Sequence, residues 1–419
     1  MAELAPVISG ETVLQGLVND LQARFPTPIL LVMDQNTRAA CGGQVEEMLH
    51  HAGLPLISLV LPGVPRVAAD ETSIIRVLQA LNGEPAVLVG IGSGTITDIV
   101  RFTAFQTRLP FLSLPTAPSV DAYTSYTASI TIAGVKYSFP TKTAEGVYVH
   151  LPTLCAAPAR MTAAGFGDMV AKYTGLADWK LAHILVDDTY DPQTALKADQ
   201  ALRQVVLQAG TVRAAAPEGI SALVDSLLIS GHCMVAVKSS RPAAGSEHSL
   251  AHFWEIRHHQ EGLPESLHGE KTGAAAVIIA RLYEALRCLS RGEAARRLER
   301  FVLPDPDLEC QRIRAAYGAA ADDLIAASPS FLGPLRRKTG QVIERLLSRW
   351  EEVQAVAETV PPAAEIISTL AKAGSLSDPS QIHISTEEVG MALNNAMFVR
   401  DRFTILELNR MLDLTQKIR

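Results

Sequence analysis

One aspartate and a group of histidines carry the pattern that could do chemistry in this chain. Asp168 lies in GFGDMVAKYTGLADWKLAHI, residues 165–184, beside two glycines and at the head of a long amphipathic pattern. A carboxylate among apolar neighbours needs a cation, a metal or a set of donors. Lys172, four residues on, would share its helix face and is the ordinary partner. Other partners lie downstream. SEHSLAHFWE, residues 246–255, puts His248 and His252 four apart on one helix face, and His268 opens HGEKTG before a new apolar helix. One carboxylate and two imidazoles form a common catalytic site for a divalent metal, with positions left for substrate. The histidines lack the H-E-x-x-H spacing of zinc proteases, and a single histidine is more often a surface or core residue than a ligand. Spacing alone therefore leaves both readings open. His258 and His259 read as a solvated helix end, and Trp179 and Trp254 as core.

A second chemistry-bearing pattern lies earlier. GIGSGTITDI, residues 90–99, follows an apolar run and opens a helical one. Glycines at 90, 92 and 94 let backbone approach a ligand, and the first helical amides can face an anion such as a pyrophosphate. The spacing is not G-x-G-x-x-G, so a tight ligand-free turn is the competing reading. LPTAPSVDAYTS, residues 114–125, places Thr116, Ser119, Asp121 and Ser125 at the end of the next apolar run. In an open α/β sheet ligands gather at the carboxyl ends of strands, and two polar loops meeting there favour a dinucleotide.

The elements that must position these residues fall into two kinds. Apolar runs at 28–35, 56–64, 86–92 and 110–116 read as strands, with helical patterns at 37–52, 70–82 and 95–104 between them. Such alternation predicts a parallel sheet, and the fully apolar runs predict one covered on both faces. Beyond about residue 155 the chain turns alanine- and leucine-rich with a period near 3.6, predicting helices at 159–184, 192–213, 217–236, 246–258, 269–289 and 385–413. The expected organisation is an α/β domain over 1–155 and an all-helical domain over 156–419.

The bulk properties exclude several classes. A net charge of −7 over 419 residues does not suit a general nucleic-acid binder. Five cysteines at 41, 155, 233, 288 and 310 have neither metal-finger nor redox-motif spacing and suit a reducing compartment. The opening MAELAPVISG has neither the basic nor the apolar part of a signal peptide, and apolar runs such as 274–280 stop short of a membrane span. A cytoplasmic protein acting on a small molecule, without membrane insertion, is expected. A homo-oligomer is compatible with all of this.

Taken together these blocks resemble the sn-glycerol-1-phosphate dehydrogenases. That family belongs to the superfamily of glycerol dehydrogenases, iron-containing alcohol dehydrogenases and dehydroquinate synthases. The resemblance covers nearly the whole chain. It rests on GSGTITD at 92–98, LPTAPSVDAYTS at 114–125, AAPARMTAAGFGDMVAKYTGLADWK at 156–180, SSRPAAGSEHSLAHFWE at 239–255, LHGEKTG at 267–273 and RDRFTILEL at 400–408. It implies a dehydroquinate synthase-like fold, with an α/β dinucleotide-binding domain and an all-α metal- and substrate-binding domain. It implies that Gly92, Gly94, Thr95, Ile96, Thr97, Asp98, Thr116, Ala117, Pro118, Ser119 and Ser125 hold the nicotinamide dinucleotide. Asp168, His248 and His268 match the ligands of one divalent metal ion, with zinc, nickel and iron all suitable. Asp121, Asp168 and His252 match substrate contacts, with Asp121 and His252 in the catalytic roles. The family more often has glycine where Ala122 stands, and an aspartate usual near 147–151 is replaced.

The implied reaction is reduction of dihydroxyacetone phosphate to sn-glycerol 1-phosphate by NAD(P)H, with the metal as Lewis acid on the carbonyl and a proton delivered through His252 or water. Phospholipid precursors are the natural destination of that product. Ser239, Ser240, Arg241 and Lys271 are the candidate donors to the substrate phosphate, with capping of the preceding helix the alternative for Arg241. Asp34, ending the first strand, favours NAD over NADP if it binds a ribose, or else caps the next helix. Competing readings are a glycerol or alcohol dehydrogenase for an unphosphorylated substrate, a cyclase like dehydroquinate synthase, and a non-catalytic binding protein on the same fold.

Overall fold

The computed structural model describes residues 4–63, 66–132, 135–264, 266–327 and 334–417. Strands β1 (Val7–Ser9), β2 (Ile29–Asp34), β3 (Leu56–Leu61), β4 (Val87–Gly92), β5 (Phe111–Pro115) and β8 (Gly146–Val149) form one six-stranded sheet in the order β1-β8-β5-β4-β2-β3. Every pairing in it is parallel. Strands β6 (Thr127–Ile132) and β7 (Val135–Pro140) pair as a separate antiparallel hairpin. The four strands expected from apolar runs are β2 to β5. Val64, included in the second of those runs, lies outside the described residues. The short edge strand β1 and the hairpin were not expected, because neither has a long enough apolar signature.

Alternation along each strand splits the sheet between two cores. Leu30, Val32, Leu88 and Phe111 join one buried cluster, while Ile29, Leu31, Met33, Val89 and Leu112 join the other. The strand order reverses at β2, which pairs with β3 on one side and β4 on the other. The carboxyl ends of β2 and β4 thus flank the topological switch point, where doubly wound sheets bind ligands.

The chain divides into two compact units, one of Met1–Phe166 with Arg203–Ser239 and one of Gly167–Leu202 with Ser240–Arg419. This differs from a single cut at 155/156. The helix Pro217–Val237 puts Ile220, Val224 and Leu228 into the same core as β2 and β4. Helical periodicity shows that a segment has an apolar face, but not which core receives it. The same helix is long and apolar enough to cross a membrane by composition, with an 18-residue window of mean hydropathy 1.8, whereas the sequence reading found no such run. In the fold 61% of that window is buried, as for a core helix.

The second unit is helical. The expected helix 159–184 is two helices, Ala159–Val170 and Lys172–Val186, and the expected 385–413 is broken into Thr386–Asn395, a short 3-10 turn and Ile405–Leu412. Asp178 ties several of these elements together. Its carboxylate accepts from the Ser246 amide at 2.7 Å, the Tyr283 hydroxyl at 2.6 Å and the Ile405 amide at 2.8 Å. Burial, with Glu247 nearby, raises its pKa to about 6.

Candidate metal and cofactor sites

In the sheet unit the two polar loops leave neighbouring strands. Thr116, after β5, donates its amide to the carbonyl of Gly92, the last residue of β4, at 3.3 Å. Ser93 is the N-cap of the helix Gly94–Thr107 but gives its first turn no side-chain cap. The leading amides at Gly94, Thr95 and Ile96 are therefore placed to receive an anion. Thr97 Oγ1 is buried with no hydrogen-bond partner among the described residues. Thr116, Ala117, Pro118, Ser119 and Ser125 are buried. The Asp98 carboxylate is engaged by Arg101 at 3.3 Å, and burial lifts its pKa to about 6 against the pull of that guanidinium. Arg101 also donates to the carbonyls of Ala122, Tyr123 and Thr127, which holds the loop that carries Asp121 and Ser125. Asp121 accepts from the Ser230 hydroxyl at 2.8 Å.

Asp34 accepts from the Thr37 amide at 2.8 Å, and Thr37 Oγ1 accepts from the Asp34 amide at 2.9 Å. This capping box is the alternative role considered for Asp34.

Glycine 165 explains part of the GFGD motif. A Cβ there would fall 1.8 Å from the carbonyl oxygen of Pro118, so only glycine allows this packing against the loop 116–119. Gly167 does the same in the helical unit, where a Cβ would lie 2.4 Å from the carbonyl oxygen of Gly269, next to His268.

In the helical unit Asp168, His248 and His268 each offer a ligand atom, and the three atoms lie within 4.8 Å of one another. His248 Nε2 is 3.6 Å from Asp168 Oδ1. Lys172 Nζ is 3.5 Å from the same oxygen and donates to the Asp168 carbonyl at 3.0 Å. Asp168 and Lys172 are both fully buried. Burial would raise the pKa of Asp168, but Lys172 and the two histidines outweigh it and hold the carboxyl well below its usual range.

The outer layer sets the histidine tautomers. His248 Nδ1 lies 2.8 Å from Glu247 Oε1, and His268 Nδ1 lies 3.1 Å from Glu255 Oε1. An ionised carboxylate only accepts, so each Nδ1 carries a proton and Nε2 is the ring nitrogen a metal would take. Carboxylate-backed histidines of this kind are the usual partners of a bound metal. Glu247 is itself fixed by the Thr174 hydroxyl at 2.8 Å and the Gly245 amide at 2.7 Å. Two imidazole nitrogens and an ionised carboxylate thus fit a divalent cation.

His252 stands beside this cluster, with its ring centroid 5.6 Å from that of His268. Its Nδ1 donates to Glu255 Oε2 at 2.9 Å, and its Nε2 accepts from Arg400 at 2.9 Å. Of the candidate phosphate donors, Arg241 is buried, donates to the Phe403 carbonyl at 2.9 Å and pairs with Asp188. Lys271 is buried 3.8 Å from Glu255. Ser240 accepts from both Arg400 and Arg402.

His258 is fully buried and bonded to Glu388 at 3.1 Å, not on a solvated helix end as expected. The helix Ser246–Glu261 runs past it, so it faces other helices instead of water. Trp179 and Trp254 are core residues. Sequence reasoning passed over Glu247, Glu255, Arg400 and Arg402. The available signal was the adjacency of Glu247 to His248 and the three-residue step from His252 to Glu255, which shares a helix face.

The architecture is that of the iron-containing alcohol dehydrogenases. The family model described as iron-containing alcohol dehydrogenase matches residues 11–158. The solved structure of a probable glycerol dehydrogenase from Sinorhizobium meliloti 1021 superimposes with a TM-score of 0.62 at 16% identity, covering 100% of this chain and 99% of that one. Sequence relatives narrow the class. The chain is 33% identical over 404 residues to the glycerol-1-phosphate dehydrogenase (NAD(P)+) of Bacillus subtilis strain 168, covering 96% of this chain and 90% of that protein. The Pyrococcus furiosus protein of the same name is 30% identical over 278 residues, 66% of this chain and 78% of its own length. The chain belongs to the glycerol-1-phosphate dehydrogenase family and is an oxidoreductase.

Proposed function

We propose that this protein reduces dihydroxyacetone phosphate to sn-glycerol 1-phosphate with NADH or NADPH, using a divalent metal held by Asp168, His248 and His268. The observation that carries this reading is the convergence of the two carboxylate-backed imidazoles on Asp168. Zinc, nickel or iron suits that donor set and would supply Lewis acidity to the ketone, while the nicotinamide supplies hydride.

The chain's own residues do the rest. The uncapped start of the helix Gly94–Thr107, with Thr97 and the loop 116–119, receives the dinucleotide phosphates. Asp121, held by Ser230, accepts from a substrate hydroxyl and selects the face presented to hydride. His252, beside His268, keeps a proton on Nδ1 against Glu255 and accepts from Arg400 on Nε2. The proton for the new alcohol oxygen therefore comes from water, directly or through Nε2 once that nitrogen exchanges the Arg400 bond for a proton. Asp168 stays ionised beside Lys172, so the cluster carries a negative ligand at neutral pH. A cytoplasmic enzyme feeding phospholipid synthesis is part of the same reading.

The test is NADH oxidation by metal-stripped protein re-supplied with zinc, nickel or iron, comparing dihydroxyacetone phosphate with dihydroxyacetone. Metal-dependent turnover that favours the phosphorylated ketone supports the reading. Turnover of dihydroxyacetone alone assigns the chain to unphosphorylated substrates, and no metal dependence removes the Asp168 cluster from catalysis.

A further inference from the structure

The substrate phosphate needs a cationic cradle within reach of His252. The residues first considered for it are engaged elsewhere: Arg241 pairs with Asp188, and Lys271 is buried beside Glu255. A different pair of guanidiniums stands at the right place. Arg400 Nη1 and Arg402 Nη2 both donate to Ser240 Oγ, at 3.1 and 2.8 Å. Two like charges brought onto one neutral hydroxyl repel each other, and the arrangement gains most when an anion sits between them. Neither arginine is fully exposed, so the attraction to an anion would be less screened than on an open surface.

The position of this pair is set by the site. Arg400 is bonded at the same time to Ser240 and, through Nη2, to His252 Nε2 at 2.9 Å. One rigid guanidinium therefore links the serine to the imidazole beside the metal cluster. In dihydroxyacetone phosphate the phosphorus is separated from the carbonyl carbon by only one carbon and one oxygen. A ketone whose oxygen lies near His252 and the cluster would carry its phosphate toward Arg400 and Arg402. Burial pulls the Arg400 pKa down while Glu247 and Glu255 oppose that shift, and a bound dianion would oppose it further.

We propose that Arg400 and Arg402, with the Ser240 hydroxyl, form the subsite that binds the substrate phosphate and makes the enzyme prefer phosphorylated over unphosphorylated ketones. This rests on the function proposed above, and it adds the residues that select the substrate class.

Arg402 is the cleaner residue to test, because its bond to Ser240 does not involve His252. In Arg402→Gln the ratio of kcat/KM for dihydroxyacetone phosphate to that for dihydroxyacetone should fall by about ten- to a hundredfold, as for loss of a hydrogen bond to a charged group. Arg402→Lys, which keeps the charge but not the fork, should fall between wild type and Arg402→Gln. Calorimetry of the metal-loaded protein with inorganic phosphate should show binding that weakens in both variants. An unchanged ratio, or equal losses on both ketones in a variant that melts like wild type, overturns the subsite. If wild-type protein turns over neither ketone but still binds phosphate in an Arg402-dependent way, the anion subsite stands and the assigned substrate falls. If phosphate binding is indifferent to Arg402, the subsite falls whatever the substrate.

Discussion

The two candidate sites are built from different materials. The dinucleotide loops of the sheet unit offer backbone amides and small hydroxyls at strand ends, with Asp98 turned onto Arg101 to hold the loop. The cluster of the helical unit is made of ionisable groups, with Asp168 and His248 buried and His268 partly so, each backed by another: Asp168 by Lys172, His248 by Glu247, and His268 by Glu255. Amides and hydroxyls can be placed by a local turn. Buried charges must be compensated from several helices at once, since an unpaired one costs far more than a lost contact. Binding of a dinucleotide should therefore tolerate small changes that the cluster would not.

The largest effect that would break this comparison is expected at His268. His268→Ala should lose bound metal, read by elemental analysis, and lower turnover by at least about a thousandfold, as for loss of the main electrostatic stabilisation. Unaltered metal content with wild-type turnover would remove it from the cluster. His252→Ala should keep the metal and lose less, about a hundredfold. Next comes the outer layer. Glu255→Gln should weaken metal affinity by about ten- to a hundredfold through His268 while leaving KM for NADH unaltered. A change in KM for NADH alone would place Glu255 on the wrong side of the comparison.

A smaller effect is expected in the sheet unit. Gly165→Ala forces a Cβ against the Pro118 carbonyl. It should cost about 1–3 kcal/mol of stability and raise KM for NADH, with metal content unaltered. A melting temperature and KM equal to wild type would show that the loop is free to move away.

The last effect concerns pH. Burial raises the pKa of Glu407 to about 8. The folded state then holds a proton that the unfolded chain has released, so stability falls as pH rises from the ordinary glutamate range through about 8. Glu407→Gln should flatten the decline of melting temperature between about pH 6 and 8. An identical slope in the variant would mean that Glu407 titrates normally in the folded protein.

Much of the sheet unit was legible from sequence for a simple reason. Strands β2 to β5 are short apolar runs bounded by turns, and their identity depends on neighbours a few residues away. The glycine loop at the end of β4 was legible in the same way. The segment Arg203–Ser239 groups with the sheet unit although its helical period resembles that of the later helices, because an apolar face has no label for the core it joins. The break between Val170 and Lys172 was hidden because the 3.6-residue period continues across it.

For the site, the sequence by itself determined the chemical inventory: a carboxylate at 168, imidazoles at 248, 252 and 268, and polar strand ends after β4 and β5. The resemblance to a family grouped three of them as ligands. Tertiary structure alone decided which carboxylate backs which imidazole, and hence where each ring carries its proton. It also decided that Arg400 and Arg402 meet Ser240, some 160 residues earlier in the chain. Residue types and local periods are written along the chain. Compensation of a buried charge is a property of packing, and its partners come from wherever the fold brings them.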